Sequence, residues 1–201
     1  MWEFDHLAVV CGSLDEGVAY VERAIGAKTV PGGKHPRMGT WNQLMSLGPK
    51  EYLEVIAIDP NAPVPVQRRW FGLDDFSGAP KLGSWVCRCA DLEGELAATK
   101  TKIGATSSQT RGEYAWLFAV PFEGRMPFEG AHPALMQWQG PHPAAALPDR
   151  NVRLDRLIVS HPDPDLKGRL NVNDPRIEVR VADEVKIEAE LSTARGPVWL
   201  S

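Results

Sequence analysis

Three cysteines in 201 residues cannot all pair, and none sits at a framework spacing, so disulfides do not organise this chain. That usage points to a reducing, cytoplasmic setting. No apolar stretch approaches the ~20 residues of a membrane span, so a spanning helix is not expected. An excess of positive charge is also missing. Lys and Arg number 22 against 26 Asp and Glu, a formal charge of −4. Without a basic stripe nothing draws in nucleic acid or an anionic membrane surface. The opening Met1-Trp2-Glu3-Phe4-Asp5-His6 has neither the basic nor the apolar region of a signal peptide, so export is not expected. The 17 Pro and 18 Gly mark many turns but fall short of a disordered composition. The length suffices to bury a core without metal or disulfide staples.

What the chain does have is an internal repeat. A shift of 78 positions lays Cys11 on Cys89, Leu14 on Leu92, Ala19 on Ala97 and Ile25-Gly26-Ala27 on Ile103-Gly104-Ala105. Each copy opens as a strand and passes into a helix. In the first, Leu7, Val9 and Cys11 alternate with His6, Ala8 and Val10 at the strand period. Ser13 and Glu16 form a capping box, Leu14, Val18, Val21 and Ile25 recur at helical spacing, and Gly26 supplies the left-handed stop. In the second, Asp91 caps, Leu92, Leu96 and Ile103 form the stripe, and Gly104 ends it. Strands over Trp41–Leu47 and Tyr52–Ile58 follow the first helix, matched by Tyr114–Val120 and Leu135–Gln139 after the second. There the offset has grown to 83, through an insertion at Phe122–Ala131, which lays Glu54 on Gln137.

A fainter third copy, at an offset of 150, sets Asp5, Leu7 and Val9 on Asp155, Leu157 and Val159. A short helix near Asp165–Leu170 and strands at Arg176–Val181, Val185–Leu191 and Pro197–Leu200 complete it. The fold class is therefore α+β. Two βαβββ modules, 1–60 and 82–140, form a domain over 1–150, and a shorter β-α-β-β-β module over 151–201 packs on it.

Several segments carry a resemblance beyond the repeat. They are Asp5-His6-Leu7, Gly39-Thr40-Trp41-Asn42, Tyr52-Leu53-Glu54-Val55-Ile56 and, between the modules, Trp70-Phe71-Gly72-Leu73. His132-Pro133, Gln137-Trp138 and His161-Pro162-Asp163-Pro164 add to them. With these the chain resembles the vicinal oxygen chelate superfamily, which includes glyoxalase I, extradiol dioxygenases and bleomycin-binding proteins, and more closely the glyoxalase-like domain proteins of bacteria. The likeness is specific for fold and weak for reaction. It implies two modules curled around a cleft with helices outside, and a divalent metal (Zn, Ni, Mn, Mg or Fe) held by inward side chains of each module's first and fourth strands. Carried over, those positions are His6, Glu54, Ser84 and Gln137. The neutral Ser84 hydroxyl is a poor ligand, which leaves His6, Glu54 and Gln137 as the metal set. The alternative is a cleft that binds an organic ligand with no metal.

Extradiol chemistry needs two histidines and a carboxylate at the ligand positions, and only one histidine is there. Proton transfer next to a carbonyl needs less, namely a carboxylate base and an electrophile. Glu54, flanked by Leu53 and Val55, is the catalytic candidate, with a pKa raised by desolvation; alternatively it forms a structural ion pair with Arg88. Ser84, Arg88, Asn42 and Trp116 are the substrate-side candidates. Four histidines, at 35, 132, 142 and 161, precede proline and mark strand entries and linkers, with His35 and His132 able to reach a cleft mouth. Cys87 and Cys89 are expected to pack against the helix, and Trp70-Phe71 to cover a sheet or serve as a lid.

The function read from these residues is a glyoxalase-like small-molecule enzyme of lyase or isomerase type, possible metal assistance included. The rival is a non-catalytic binder of a hydrophobic metabolite or antibiotic. The expected partner is a small molecule, with a homodimer as a further option for the C-terminal unit.

Overall fold

The computed structural model describes residues 1–201. Twelve strands form two sheets, and only two α-helices accompany them. In the first module β1 (Glu3–Val10) leads into α1 (Leu14–Ile25), then β2 (Val30–His35), β3 (Thr40–Gly48) and β4 (Glu51–Ile58). The second repeats this order with β5 (Lys81–Arg88), α2 (Leu92–Ala98), β6 (Ala105–Arg111), β7 (Tyr114–Val120) and β8 (Ala134–Trp138). Their eight strands make one sheet in the order β2-β3-β4-β1-β5-β8-β7-β6. Each module's first strand runs parallel to its last, and the modules join where β1 and β5 lie antiparallel about the Leu7–Trp85 pair. The sheet curls until its two edges meet, and Arg37 Nη1 donates to the Ser108 carbonyl (3.0 Å) across the join.

Local chemistry accounts for the helices. The Ser13 hydroxyl accepts from the Glu16 amide (3.3 Å), and Gly26, at φ 78°, closes α1 by donating to the Glu22 carbonyl (2.8 Å). Gly17 lets α1 lie close on the sheet, because a Cβ there would sit 2.4 Å from Cys11 Sγ. The second helix ends at Ala98, so Ile103 and Gly104 lie beyond the stripe expected of them. After Asp91 caps it, Thr99 to Gly104 make no helical turn.

The edge strands β2 and β6, which the βαβββ order requires, carry no strand signal of their own in the sequence. Val-Pro-Gly-Gly-Lys-His and Ala-Thr-Ser-Ser-Gln-Thr-Arg lack apolar alternation because each pairs on one side only, where polar residues and proline are tolerated. The C-terminal unit comprises β9 (Arg153–His161), β10 (Ile177–Val181), β11 (Lys186–Thr193) and β12 (Gly196–Leu200). Its strand order, β10-β9-β11-β12, differs from that of the modules. The first strand is parallel to the second rather than to the last, and the expected helix is a single 3₁₀ turn at Lys167–Arg169. No helix is long and apolar enough to cross a membrane.

One cluster of 42 buried residues runs through both sheets, including Leu53 and Trp85 from the first and Leu157, Val159, Ala189 and Leu200 from the second. The Trp2 amide donates to the Asn171 carbonyl (2.7 Å), and Arg176 pairs with Glu51 (2.6 Å) while lying over the Phe4 ring. Removing the chain after Asp149 would expose that shared apolar surface, which is worth roughly 25 cal/mol per Å². The truncated protein is expected to aggregate or lose its cooperative thermal transition. A soluble fragment melting within a few degrees of the full chain would show the second sheet to be an independent appendage.

Candidate functional site

The site is built on an irregularity in β1. Pairing between β1 and β5 slips between Phe4 and His6, a bulge that brings Asp5 and His6 to bear on one another. Asp5 Oδ1 meets His6 Nδ1 at 2.7 Å, while Oδ2 meets Trp138 Nε1 (2.9 Å), His142 Nε2 (3.0 Å) and Arg88 Nη1 (3.4 Å). Burial alone would raise the pKa of this fully enclosed carboxyl, but hydrogen bonds from His142 and His6 outweigh it and hold it below the usual range. Asp5 thereby fixes the ring of His6, and Tyr52 stacks on that ring at 4.3 Å.

The other ring nitrogen, Nε2, faces Glu54 Oε2 at 3.5 Å. Asn42 Nδ2 donates to Glu54 Oε1 (2.5 Å), and its neighbour His35 is held through Nδ1 by the Thr40 hydroxyl (2.9 Å). Desolvation works to lift the Glu54 pKa, as expected from the sequence. The hydrogen bond and charge of His6 win, and the carboxyl is pulled down to about 2. The pKa of His6 moves the other way: burial opposes its charge, but Asp5 and Glu54 raise it. His35 is driven down to about 4 by burial, against the pull of Glu54 and with help from the charge of Arg111.

His6, His35, Tyr52 and Glu54 floor a narrow pocket with about 20 Å³ of free space. Trp116, Phe118, Met136 and Trp138 of β7 and β8 wall it, Arg111 closes one side, and Trp70 and Phe71 roof it. The roof is a strap in strained geometry, with Phe71 at φ 56° followed by Gly72 at φ 66°. Trp70 packs on His35 (5.1 Å) and Phe118 (5.2 Å), and the Gly72 amide bonds the Gly124 carbonyl (2.9 Å).

Of the residues singled out in the sequence, His6, Glu54 and Trp116 line the cavity, and Asn42 supports Glu54 from behind. Ser84 is buried opposite Ala8 and does not line it. Arg88 forms no pair with Glu54. It spends its donors on Glu3, Asp5 and the carbonyls of Phe4 and Lys50. Gln137 lies on the opposite face of β8, where its Oε1 accepts from the Leu92 amide at the start of α2 (2.9 Å). The pairing explains this. Ala8 is opposite Glu54 in the first module and Val86 is opposite Ala134 in the second, so Ala134 stands in the place of Glu54. An offset of 83 is three residues too long, and an odd slip reverses every side chain of a strand.

A superfamily-type metal therefore does not fit these donors. Gln137 faces away, Ser84 stands off the cavity, and both nitrogens of His6 are turned to carboxylates. His132, also fully buried, is not at the cleft; its ring packs between Trp2 and Phe128. Asp5, Tyr52 and Arg111 were given no role in the site, and His142 was read as a linker histidine. Only Asp5 beside His6 was a local signal, and strand alternation argued that the two part ways.

Paired modules curled around an enclosed pocket define a protein of the vicinal oxygen chelate superfamily. The family described as the Glyoxalase-like domain matches residues 4–170, and the chain belongs to it. No curated protein matches the sequence. Among solved structures, a hypothetical protein from Staphylococcus aureus is similar at 12% identity with a TM-score of 0.64, over 92% of this chain and 88% of that one. This likeness is one of fold alone. A Streptomyces coelicolor methylmalonyl-CoA epimerase variant in complex with 2-nitronate-propionyl-CoA aligns at 14% identity and a TM-score of 0.43, over 68% of this chain and 92% of that one. The Mycobacterium tuberculosis methylmalonyl-CoA epimerase aligns at 16% and 0.44, over 71% and 91%. Both are too distant to bear on chemistry.

The buried histidines set an acid limit on the fold. His35 and His132 titrate at about 4 in the native state, both mainly through burial, against an ordinary 6.5. Between those values the unfolded chain binds more protons, so stability falls as pH drops. The contribution of His6, whose pKa is raised, is complete below 6.5, and that of Glu54 is lost only below 4.5, so neither adds slope between 4.5 and 6.5. The expected loss over that window is about 2 kcal/mol per histidine. His132→Phe, which keeps the stacked ring, should remove about half of it in denaturant melts; a flat profile for the unmodified protein would contradict the assignment.

Proposed function

We propose that the chain is a small-molecule enzyme of lyase or isomerase type, in which Glu54 removes a proton from a carbon next to a carbonyl. The observation behind this reading is the Glu54–His6 contact at 3.5 Å on the floor of an enclosed, aromatic-walled cavity. In the step, the C–H electron pair moves to the carbonyl carbon, the carbonyl π pair moves onto oxygen, and the proton passes to Glu54. Return of the proton to the other face of the carbon inverts it; where that carbon bears a hydroxyl whose proton passes to the enolate oxygen, return to the neighbouring carbon isomerises the substrate. Loss of a leaving group from the β-carbon makes the step a lyase reaction.

A carboxylate with a pKa near 2 is ionised at every working pH but is a weak base. Most of the acceleration must then come from stabilising the enolate oxygen; Asp5 and Glu54 raise the His6 pKa, and the charge they favour acts on that oxygen through space, since both ring nitrogens are turned to the carboxylates. Asp5 is a positioning residue, since it holds the ring without reaching the cavity itself. The scheme requires no metal, in keeping with a donor set that does not fit one.

The test is exchange of substrate protons with deuterated solvent, on α-hydroxy and α-keto compounds that bind. Glu54→Gln keeps shape and loses proton acceptance, so exchange should fall by roughly 10²–10⁴-fold while affinity stays within about threefold. Because Glu54 pairs with His6 and not with Arg88, the melting temperature should fall modestly, through the loss of the His6 contact. Tight binding without exchange in the unmodified protein would favour the non-catalytic binder.

A further inference from the structure

Arg111, the last residue of β6, lines the cavity and is only 7% exposed, yet its Nε has no hydrogen-bond partner and no carboxylate of the protein pairs with it. The comparison with Arg69 is direct: equally buried, that residue is paired with Asp74. An arginine cannot shed its proton, so enclosing one without a counter-charge is unfavourable unless something else supplies the anion. The position is nonetheless built. The Arg111 stem packs against Gly33 in β2, where a Cβ would come within 3.0 Å of its Cδ, and its guanidinium lies over the Tyr114 ring at 5.6 Å.

We propose that Arg111 is the receptor for a substrate carboxylate, and that the cavity takes small 2-oxo or 2-hydroxy monocarboxylates. The planar guanidinium matches a carboxylate with two parallel donors. The same cavity holds the Glu54 carboxylate, so one guanidinium suits a singly charged anion and disfavours a dianion such as a phosphate ester. The free space is only about 20 Å³, so the ligand is small and enters by parting the aromatic walls and the Trp70–Phe71 strap, which would then cover it. Deepening the proposed function, this names the substrate class of the same cavity, with the carboxylate on Arg111 and the enolisable C–H, at C2 of a 2-hydroxy acid or C3 of a 2-oxo acid, available to Glu54.

The probes are acetate, 2-oxobutyrate and benzoate, each beside its amide, which keeps the shape and drops the charge. Trp70, Trp116 and Trp138 line the cavity, so binding reads out as a change in tryptophan fluorescence. The unmodified protein should prefer at least one carboxylate over its amide by about tenfold or more. Arg111→Met should bring that ratio to about one, and Arg111→Lys should leave it in between. Without ligand, Arg111→Met should melt no lower than the unmodified protein, because it removes an unpaired buried charge. Three outcomes would overturn the proposal: no preference for any carboxylate, a preference surviving in Arg111→Met, or a large drop in its melting temperature. Glu54→Gln separates the two readings, because a carboxylate preference without proton exchange defeats the catalytic scheme and leaves the anion site standing.

Discussion

Asp5 is the joint on which the site depends. Its carboxylate accepts from His6 on its own strand, Trp138 of β8, His142 of the following linker and Arg88 of β5, so both modules and the linker to the second sheet converge on one buried group. His6 Nδ1, Trp138 Nε1 and His142 Nε2 would lose their partner with it, though Arg88 keeps Glu3 and two carbonyls, and an unpaired buried polar group costs about 1–3 kcal/mol. The bulge that presents Asp5 to His6 therefore sits where the β1–β5 seam joins the modules and where the chemistry begins.

From that joint the polar groups run as a relay across the cleft floor. Asp5 orients His6, His6 faces Glu54, Asn42 steadies Glu54, and Thr40 steadies the neighbouring His35. The relay sorts its charges by environment. Between two carboxylates His6 favours the cation, whereas His35, with a hydroxyl and an amide for neighbours, stays neutral. Two imidazoles on one floor thus lean opposite ways in charge, one raised by its carboxylates and one lowered by burial.

Closure of the sheet does the rest. The edge strands β2 and β6 have little apolar character of their own, but their meeting seals the cavity and lays the Arg111 stem on Gly33. The strap at Trp70–Phe71 covers the opening, its strained Phe71 held by packing on Phe118 and by the Gly72–Gly124 hydrogen bond. The second sheet stands off this cavity and completes the shared core instead.

Much of this was legible in the amino-acid order. The 78-residue repeat, the caps at Ser13 and Gly26, the strand at Tyr52–Ile58 and the inward face of His6 and Glu54 all rest on local periodicity and local hydrogen bonding, which a sequence displays directly. The match of Glu54 to Gln137 failed because the length of the insertion at Phe122–Ala131 does not reveal the pairing register, and three residues decide which face a side chain takes. Asp5 escaped notice because a bulge is a property of two paired strands. The partner of Arg88 was misread because Glu3 and Asp5 reach it across the module seam. Arg111 ends a polar edge strand with no pattern of its own, and it becomes a buried, unpaired cation only when the sheet curls shut. The sequence by itself determined the modules and the two central side chains; what surrounds them was decided by tertiary structure, because register, bulge and closure arise only between strands distant along the chain.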